Sequence, residues 1–227
     1  MKHSLQIGIA GLGTVGAGVV KLLHDNADLI AARAGRKITV TAVSARDKTR
    51  DRGVSLQGLG WHSDAVSLAN DPHVDVVVEL IGGSEGPARE LAEAALAAGK
   101  PLVTANKALL AVHGTMLARA AEAAGVALGF EAAVAGGIPV IKALREGMAG
   151  NRISRVAGIL NGTCNYILTV MREEKRDFHD VLADAQKLGY AETDPSFDID
   201  GIDAAAARAA VEKARTAVPI LVGLRII

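Results

Sequence analysis

Five short runs of mainly apolar residues occur in the first 131 positions of the chain. They cover residues 5–10, 38–43, 74–81, 102–104 and 126–131. The first run ends at a glycine and the second is rich in β-branched residues, and both features are typical of strands. The third is almost continuously apolar, which indicates a strand covered on both faces. The pattern therefore predicts five strands.

Between these runs, apolar residues recur at the spacing of a helix. The periodicity predicts helices over residues 14–32, 87–98 and 109–124, and the last two stop at Gly99 and Gly125. Strands that alternate with helices imply right-handed βαβ crossovers and a parallel sheet. We therefore predict an α/β fold with a Rossmann-type, doubly wound parallel sheet.

The regular alternation of predicted strands and helices ends after the glycine turn near residue 136. Residues 137–149 have a helical pattern and residues 153–160 a strand pattern, and further helices are predicted from residue 161 and over 178–189. We divide the chain into a nucleotide-binding domain, residues 1–135, and a second α+β domain, residues 136–227.

Composition and charge exclude several classes of protein. The 25 basic and 25 acidic residues cancel and aromatic residues make up only 3%, so neither a polyanion-binding surface nor a base-stacking platform is expected. The single cysteine, Cys164, cannot form an internal disulfide, which fits a reducing, cytoplasmic setting. No stretch approaches the roughly 18 apolar residues of a membrane helix. We expect no nucleic-acid partner and no membrane partner.

Gly11, Gly13 and Gly16 have the GxGxxG spacing between the first strand and the first helix. The first glycine permits a tight turn, the second lets a pyrophosphate approach the backbone, and the third lets the helix pack on the sheet. The helix that begins at Thr14 would direct free N–H groups and a positive dipole end toward that pyrophosphate. This context favours dinucleotide binding over a glycine turn with packing duties alone.

The end of the second strand bears on the choice between NAD and NADP. An acidic residue there would bind the ribose 2′-hydroxyl, whereas Ser44 and Arg46 suit a 2′-phosphate. Because Asp47 follows closely, NAD remains a possible cofactor. Lys48 and Arg50 are individually expected to be solvated.

Three further features carry candidate chemistry. Lys107 follows the fourth predicted strand, at the edge where ligands of open α/β sheets bind, and a lysine there can bind or protonate a carbonyl oxygen. Glu131 precedes a glycine turn, and a carboxylate beside backbone carbonyls suits a hard cation. The acidic residues of segment 192–203 could hold an ammonium group, or they form a solvated loop with a helix N-cap.

Taken together, these motifs resemble those of homoserine dehydrogenases. The segments GLGTVG, VVVELIGG, TANKALLA, EAAVAGGIPVI, NGTCNYI and LGYAETDPSFDIDGIDAA occur in that family's order, over about residues 5–205. The resemblance implies NAD(P)-dependent interconversion of aspartate 4-semialdehyde and homoserine, in threonine and methionine biosynthesis. It also implies a homodimer built on the second domain.

The resemblance, together with the glycine turn and the end of the second strand, gives each candidate residue an expected role. The catalytic positions are Lys107 and Asp203. The substrate-binding positions are Gly162, Thr163, Tyr190, Glu192 and Asp198. The cofactor positions are Gly11, Gly13, Thr14, Val15, Gly16, Ser44, Arg46, Gly82, Thr104, Asn106 and Lys107. A sodium or potassium ion would be held by Glu131 and by the turn that contains Val134, Gly136 and Ile138.

Two departures from the family pattern leave alternatives open. Ala207 occupies the place of a second active-site lysine, one helical turn after Asp203, and from about residue 206 the sequence no longer matches, which makes the second domain incomplete. A catalytically impaired NADP-binding protein of the same fold is therefore the alternative. An aspartate-semialdehyde dehydrogenase would need a nucleophilic cysteine, for which Cys164 is the only candidate, and is disfavoured.

Overall fold

A computed structural model describes residues 4–151 and 161–191. Its centre is a six-stranded sheet in which every neighbouring pair of strands is parallel, with the order β3-β2-β1-β4-β5-β6. The strands are β1 (Leu5–Ala10), β2 (Ile38–Ser44), β3 (Gly60–His62), β4 (Val76–Glu79), β5 (Leu102–Thr104) and β6 (Leu128–Gly129). This strand order is that of the doubly wound nucleotide-binding fold, so the predicted fold class is confirmed.

The described residues contain nine α-helices. They are α1 (Thr14–Asp25), α2 (Ala27–Ala34), α3 (Ser67–Asn70), α4 (Pro87–Ala97), α5 (Lys107–Ala124), α6 (Ala132–Ala135), α7 (Val140–Lys142), α8 (Gly162–Glu174) and α9 (Phe178–Lys187). Helix α7 continues into a π-helical turn over Ala143–Gly147.

The single helix predicted over residues 14–32 is wrong, because the structure divides it into α1 and α2 at Asn26. The backbone of Asn26 leaves the helical conformation (φ −110°, ψ 21°), and its side-chain amide donates a hydrogen bond to the Leu22 carbonyl at 3.1 Å. Asparagine favours such local hydrogen bonds over a continuous helix. Hydrophobic periodicity does not report a cap of this kind.

Both faces of the sheet carry a core, as the apolar run of β4 predicts. Val77 packs with Leu91 and Leu102 on one face, while its neighbour Val78 packs with Ile9 and Val43 on the other. Burial of one such aliphatic side chain stabilises a fold by about 1.5–3 kcal/mol. The sheet is therefore held rigidly from both sides, and the loops at its carboxyl edge have a fixed base.

Beyond β6, all regular secondary structure of the described residues is helical. Helices α6 and α7 bury Ala133, Val134 and Ile141 against one face of the sheet. Helices α8 and α9 form a hairpin with a small core of their own around Ile167 and Val181. The strand predicted over 153–160 lies outside the described residues, and the domain boundary near residue 135 stays a prediction.

Within residues 4–151 and 161–191, no helix combines the length and the hydropathy that crossing a bilayer requires.

Candidate functional site

The glycine turn between β1 and α1 lies at the point where the strand order reverses. Gly11 has a φ of +92°, and a Cβ there would lie 2.3 Å from the Leu80 carbonyl oxygen of the loop after β4. A Cβ at Gly16 would lie 1.8 Å from the Gly11 carbonyl oxygen. Gly13, by contrast, is exposed, and a Cβ there would have no neighbour within 4 Å. Two of the three glycines are thus required for packing, and the third leaves open space above the turn.

The N-terminus of α1 faces this open space. Gly13 is the N-cap and offers no side-chain hydrogen bond, and the first intrahelical bond runs from the Ala17 N–H to the Gly13 carbonyl at 2.9 Å. The N–H groups of Thr14, Val15 and Gly16 therefore precede the helical ladder. Thr14 and Val15 are exposed. Such a turn fits a pyrophosphate, for which oriented N–H groups and the helix dipole are the binding elements.

A cavity of about 360 Å³ lies beside the turn. Gly13, Thr14 and Lys21 line one side of it, and the loop with Arg50 and Arg52 lines the other. The cavity provides both positive charge and room next to the N-terminus of α1.

Arg52 is held in place by the surrounding backbone. Its Nε donates to the Leu12 carbonyl at 3.1 Å, one terminal nitrogen donates to Arg50 O at 2.7 Å and the other donates to Asp47 O. Its guanidinium lies 5.5 Å from the centre of the Trp61 ring, a cation–π distance. Sequence reasoning missed this residue, because only the folded chain brings Leu12 and Trp61 to either side of it.

The residues at the end of β2 separate into buried and exposed groups. Ser44 is 3% exposed, and its carbonyl accepts a hydrogen bond from the Gly11 N–H at 2.9 Å. Arg46 is exposed. Hydrogen bonds from the Thr49 hydroxyl and N–H hold the pKa of Asp47 below its usual range. The carboxylate of Asp47 is thus occupied by its own loop, whereas Arg46 extends toward solvent.

Glu79, which sequence reasoning also missed, ends β4 as a fully buried carboxylate. One oxygen accepts from the N–H groups of Ile81 (2.7 Å) and Gly82 (3.2 Å), and the other accepts from the Thr104 hydroxyl at 2.5 Å. The amide nitrogen of Asn106 lies 3.5 Å from the first oxygen. An acidic residue at the end of an apolar strand was the signal available in the sequence.

Lys107 is the first residue of α5 and is partly buried. The preceding Asn106 caps the helix, since its side-chain oxygen accepts the Leu109 N–H at 3.0 Å. Thr104 and Asn106 are themselves buried, whereas Gly82 is exposed on the neighbouring loop. The structure therefore brings Lys107, Gly82 and the glycine turn to the same carboxyl edge of the sheet.

The turn predicted to hold a cation has Glu131 at its start. Its two carboxylate oxygens accept the N–H groups of Ile141 and Lys142, each at 2.8 Å, at the beginning of α7. The Ile138 carbonyl accepts the Val140 N–H at 2.8 Å. Val134 is buried, and Gly136 has a φ of +59°. A cation would have to bind the remaining lone pairs of the Glu131 carboxylate and the Ile138 carbonyl. The cation site stays a prediction.

Within the described part of the chain, no three histidine, cysteine, aspartate or glutamate side chains converge to bind a metal. A site made of one carboxylate and several carbonyls, as predicted around Glu131, is of another kind.

Two of the predicted substrate residues meet at the α8–α9 hairpin. The Thr163 hydroxyl donates to the Tyr190 carbonyl at 2.7 Å, and the Tyr190 ring packs edge-on against Tyr166 with 5.0 Å between ring centres. Asn161 caps α8 through a 2.7 Å bond from the Cys164 N–H. Gly162 begins the first turn of α8. The predicted residues Glu192, Asp198 and Asp203, and also Ala207, lie outside the described residues.

Comparisons with known proteins cover most of the chain. Residues 11–131 match the family profile "Homoserine dehydrogenase, NAD binding domain", and residues 139–220 match the profile "Homoserine dehydrogenase". The chain is 54% identical over 201 residues to a homoserine dehydrogenase of Pseudomonas aeruginosa and 44% identical over 202 residues to one of Bacillus subtilis. These alignments cover 88% and 89% of this chain and 46% of each relative, so the chain spans about half the length of the curated relatives it matches.

Solved structures give the same picture. A homoserine dehydrogenase of Thiobacillus denitrificans superposes with a TM-score of 0.82 at 50% identity, covering 90% of this chain and 47% of that one. A hyperthermophilic archaeal homoserine dehydrogenase in complex with NADPH superposes with a TM-score of 0.77 at 26% identity, covering 93% and 70%. Sequence and fold thus indicate the same relatives.

Proposed function

Because the chain belongs to the homoserine dehydrogenase family, we propose that it catalyses the NAD(P)-dependent interconversion of L-homoserine and L-aspartate 4-semialdehyde. This step serves threonine and methionine biosynthesis. The observation that carries the proposal is the meeting of the open glycine turn with Lys107 on one carboxyl edge of the sheet.

The cofactor would lie with its pyrophosphate at the N-terminus of α1, over Gly13. Its adenosine ribose would lie toward the cavity lined by Arg50, near the exposed Arg46. When bound, the nicotinamide supplies or accepts the hydride. The residues of this chain then have three tasks, which are to hold the amino acid, to orient its carbonyl and to handle one proton.

The amino acid substrate carries an ammonium and a carboxylate that are not changed by the reaction. The first-turn N–H groups of Gly162 and Thr163 suit the carboxylate, since α8 begins there with its positive dipole end. Tyr190, which is 55% exposed, lies beside them. The acidic segment around Glu192 and Asp198 would receive the ammonium. Lys107 would hold the reacting oxygen and donate the proton that converts the aldehyde to the alcohol.

The same proposal extends to the organisation of the protein. Residues 1–135 would form the nucleotide-binding domain and residues 136–227 a substrate domain that also joins two copies into a homodimer in the cytoplasm. A monovalent cation at Glu131 would brace the turn between them. Light scattering with and without added potassium measures both the dimer and its dependence on the ion.

The alternative is a protein that binds NADP(H) but turns over poorly, since Ala207 stands where a second lysine is expected. Two measurements on the purified protein distinguish the active enzyme from the impaired cofactor-binding protein. A fluorescence titration gives the affinity for NADPH, and the loss of reduced-nicotinamide absorbance with aspartate semialdehyde gives turnover. Turnover supports the first proposal, and binding without turnover supports the alternative, in which case Ala207→Lys should raise the rate. Absence of binding to both NADPH and NADH would contradict both proposals.

Arg46→Ala is expected to weaken NADPH binding by about 10-fold or more while NADH binding stays nearly unchanged, because only NADPH carries the 2′-phosphate that a guanidinium pairs with. Titrations with both cofactors measure the effect. Arg33→Ala, at an exposed position of α2, is the matched control. Equal losses for the two cofactors would show that Arg46 does not contact the 2′-phosphate.

A further inference from the structure

We propose that Glu79 is a positioning residue that fixes the spacing between the loop after β4 and the start of α5, and thereby between the cofactor and Lys107. This inference rests on the proposed function, which places the cofactor and the reacting carbonyl at this edge of the sheet. No residue role assigned from the sequence includes Glu79.

The surroundings of Glu79 consist of hydrogen-bond donors. Its carboxylate accepts from two backbone N–H groups, those of Ile81 and Gly82, and from the Thr104 hydroxyl. Burial of a carboxylate is costly unless its oxygens are satisfied, and here each oxygen has a donor within 2.7 Å. Packing alone would be served by an apolar side chain at lower cost. The carboxylate therefore has a task that an apolar residue could not perform.

That task is to connect two separate segments. On one side Glu79 holds the turn at Ile81 and Gly82. On the other side it holds Thr104, whose hydroxyl oxygen accepts the Asn106 N–H at 3.0 Å. The Asn106 side chain adds a direct link between the two segments, because its amide nitrogen donates to the Gly83 carbonyl at 2.6 Å. A displacement of Glu79 would therefore move both segments.

Both segments lie where the proposed chemistry takes place. The carbonyl of Leu80, next to Glu79, is in the close approach to Gly11 of the cofactor turn, and the Leu80 N–H donates to Ala10 O at 2.8 Å. Asn106 caps the helix whose first residue is Lys107. Glu79 thus lies between the element that would hold the cofactor and the element that carries the proposed proton donor.

Glu79→Gln is the principal test, since glutamine keeps the volume but replaces one carboxylate oxygen with an NH2 group, so that the hydrogen bond donated by the Thr104 hydroxyl must be lost or reversed. We expect amide hydrogen exchange without cofactor to accelerate in both segments, 80–86 and 105–109, while the rate in α1 stays unchanged. The NADPH dissociation constant should change by less than about threefold, because the pyrophosphate site is untouched, whereas kcat should fall by about 10- to 100-fold through misplacement of the reacting groups. KM for the amino acid should change much less than kcat.

Glu85→Gln is the matched control. Glu85 lies in the same loop and is 60% exposed on its side chain, where it pairs with His113 and Arg89. The same chemical change there should leave kcat and the exchange of residues 105–109 unchanged. If Glu79→Gln does not fold, Thr104→Val removes the hydroxyl that donates to Glu79. It should give the same pattern of amide exchange and kinetic change.

The outcomes separate this inference from the proposed function. Faster exchange in residues 80–86 alone would overturn the inference, and so would a Glu79→Gln protein with unchanged kcat, or with parallel losses of affinity, kcat and thermal stability. A wild-type protein that binds NADPH without turnover would contradict the proposed activity. The exchange pattern would still decide whether Glu79 couples the two segments.

Discussion

Lys107→Met is expected to lower kcat by about 100- to 1,000-fold, because methionine keeps the length of the side chain but cannot donate the proton to the substrate oxygen. NADPH binding should change by less than about threefold, since the pyrophosphate is held by the backbone of α1 and not by this side chain. Steady-state kinetics together with a cofactor titration separate the two effects.

Lys37→Met is the control for this substitution. Lys37 is exposed and precedes β2, at the opposite end of the sheet from Lys107. A wild-type rate in Lys107→Met would show that the lysine is not the proton donor. A loss of rate that follows a loss of NADPH affinity would assign Lys107 to cofactor binding instead.

Gly16→Ala is expected to reduce the stability of the protein and to abolish detectable NADPH binding. The added Cβ would lie 1.8 Å from the Gly11 carbonyl oxygen, and neither backbone segment can rotate away as a side chain could. Overpacking of this kind costs about 1–3 kcal/mol or more, and each kcal/mol lowers Tm by about 2–4 °C in a domain of this size. Thermal denaturation followed by circular dichroism measures the change.

Two further glycines of the same helix region serve as comparisons. Gly18→Ala adds a methyl group with no neighbour within 4 Å, and replacing a helical glycine with alanine stabilises by about 1 kcal/mol. Gly13→Ala also meets no protein atom, so it should fold normally and yet weaken NADPH binding where the pyrophosphate approaches. A Gly16→Ala protein with a wild-type Tm would contradict the close packing of α1 on β1.

The sequence predicted the elements whose signal is local. The apolar run of 74–81 and the glycine spacing at 11–16 each depend on a few neighbouring residues, and the structure contains both the strand and the turn. The short strand β3 and the break at Asn26 were not predicted. Three residues carry too little periodicity to identify a strand, and a cap overrides periodicity through one side-chain hydrogen bond.

The candidate site was predictable to the extent that its residues follow a pattern. Lys107 and Gly13 could be named because each occupies a fixed place after a strand. Arg52 could not, and Glu79 was marked only as an acidic residue at the end of an apolar strand, since the roles of both depend on partners about 25 to 40 positions away in the chain. Neither partner is visible until the strands are placed side by side.

The contact between Arg52 and Trp61 has a practical consequence. Trp61 is the single tryptophan of the chain, and the arginine above its ring also lines the cavity beside the glycine turn. The protein therefore contains one built-in fluorophore beside the proposed cofactor site. The emission of Trp61 overlaps the absorption of a reduced nicotinamide. Quenching of the tryptophan fluorescence can therefore measure cofactor binding without any added label.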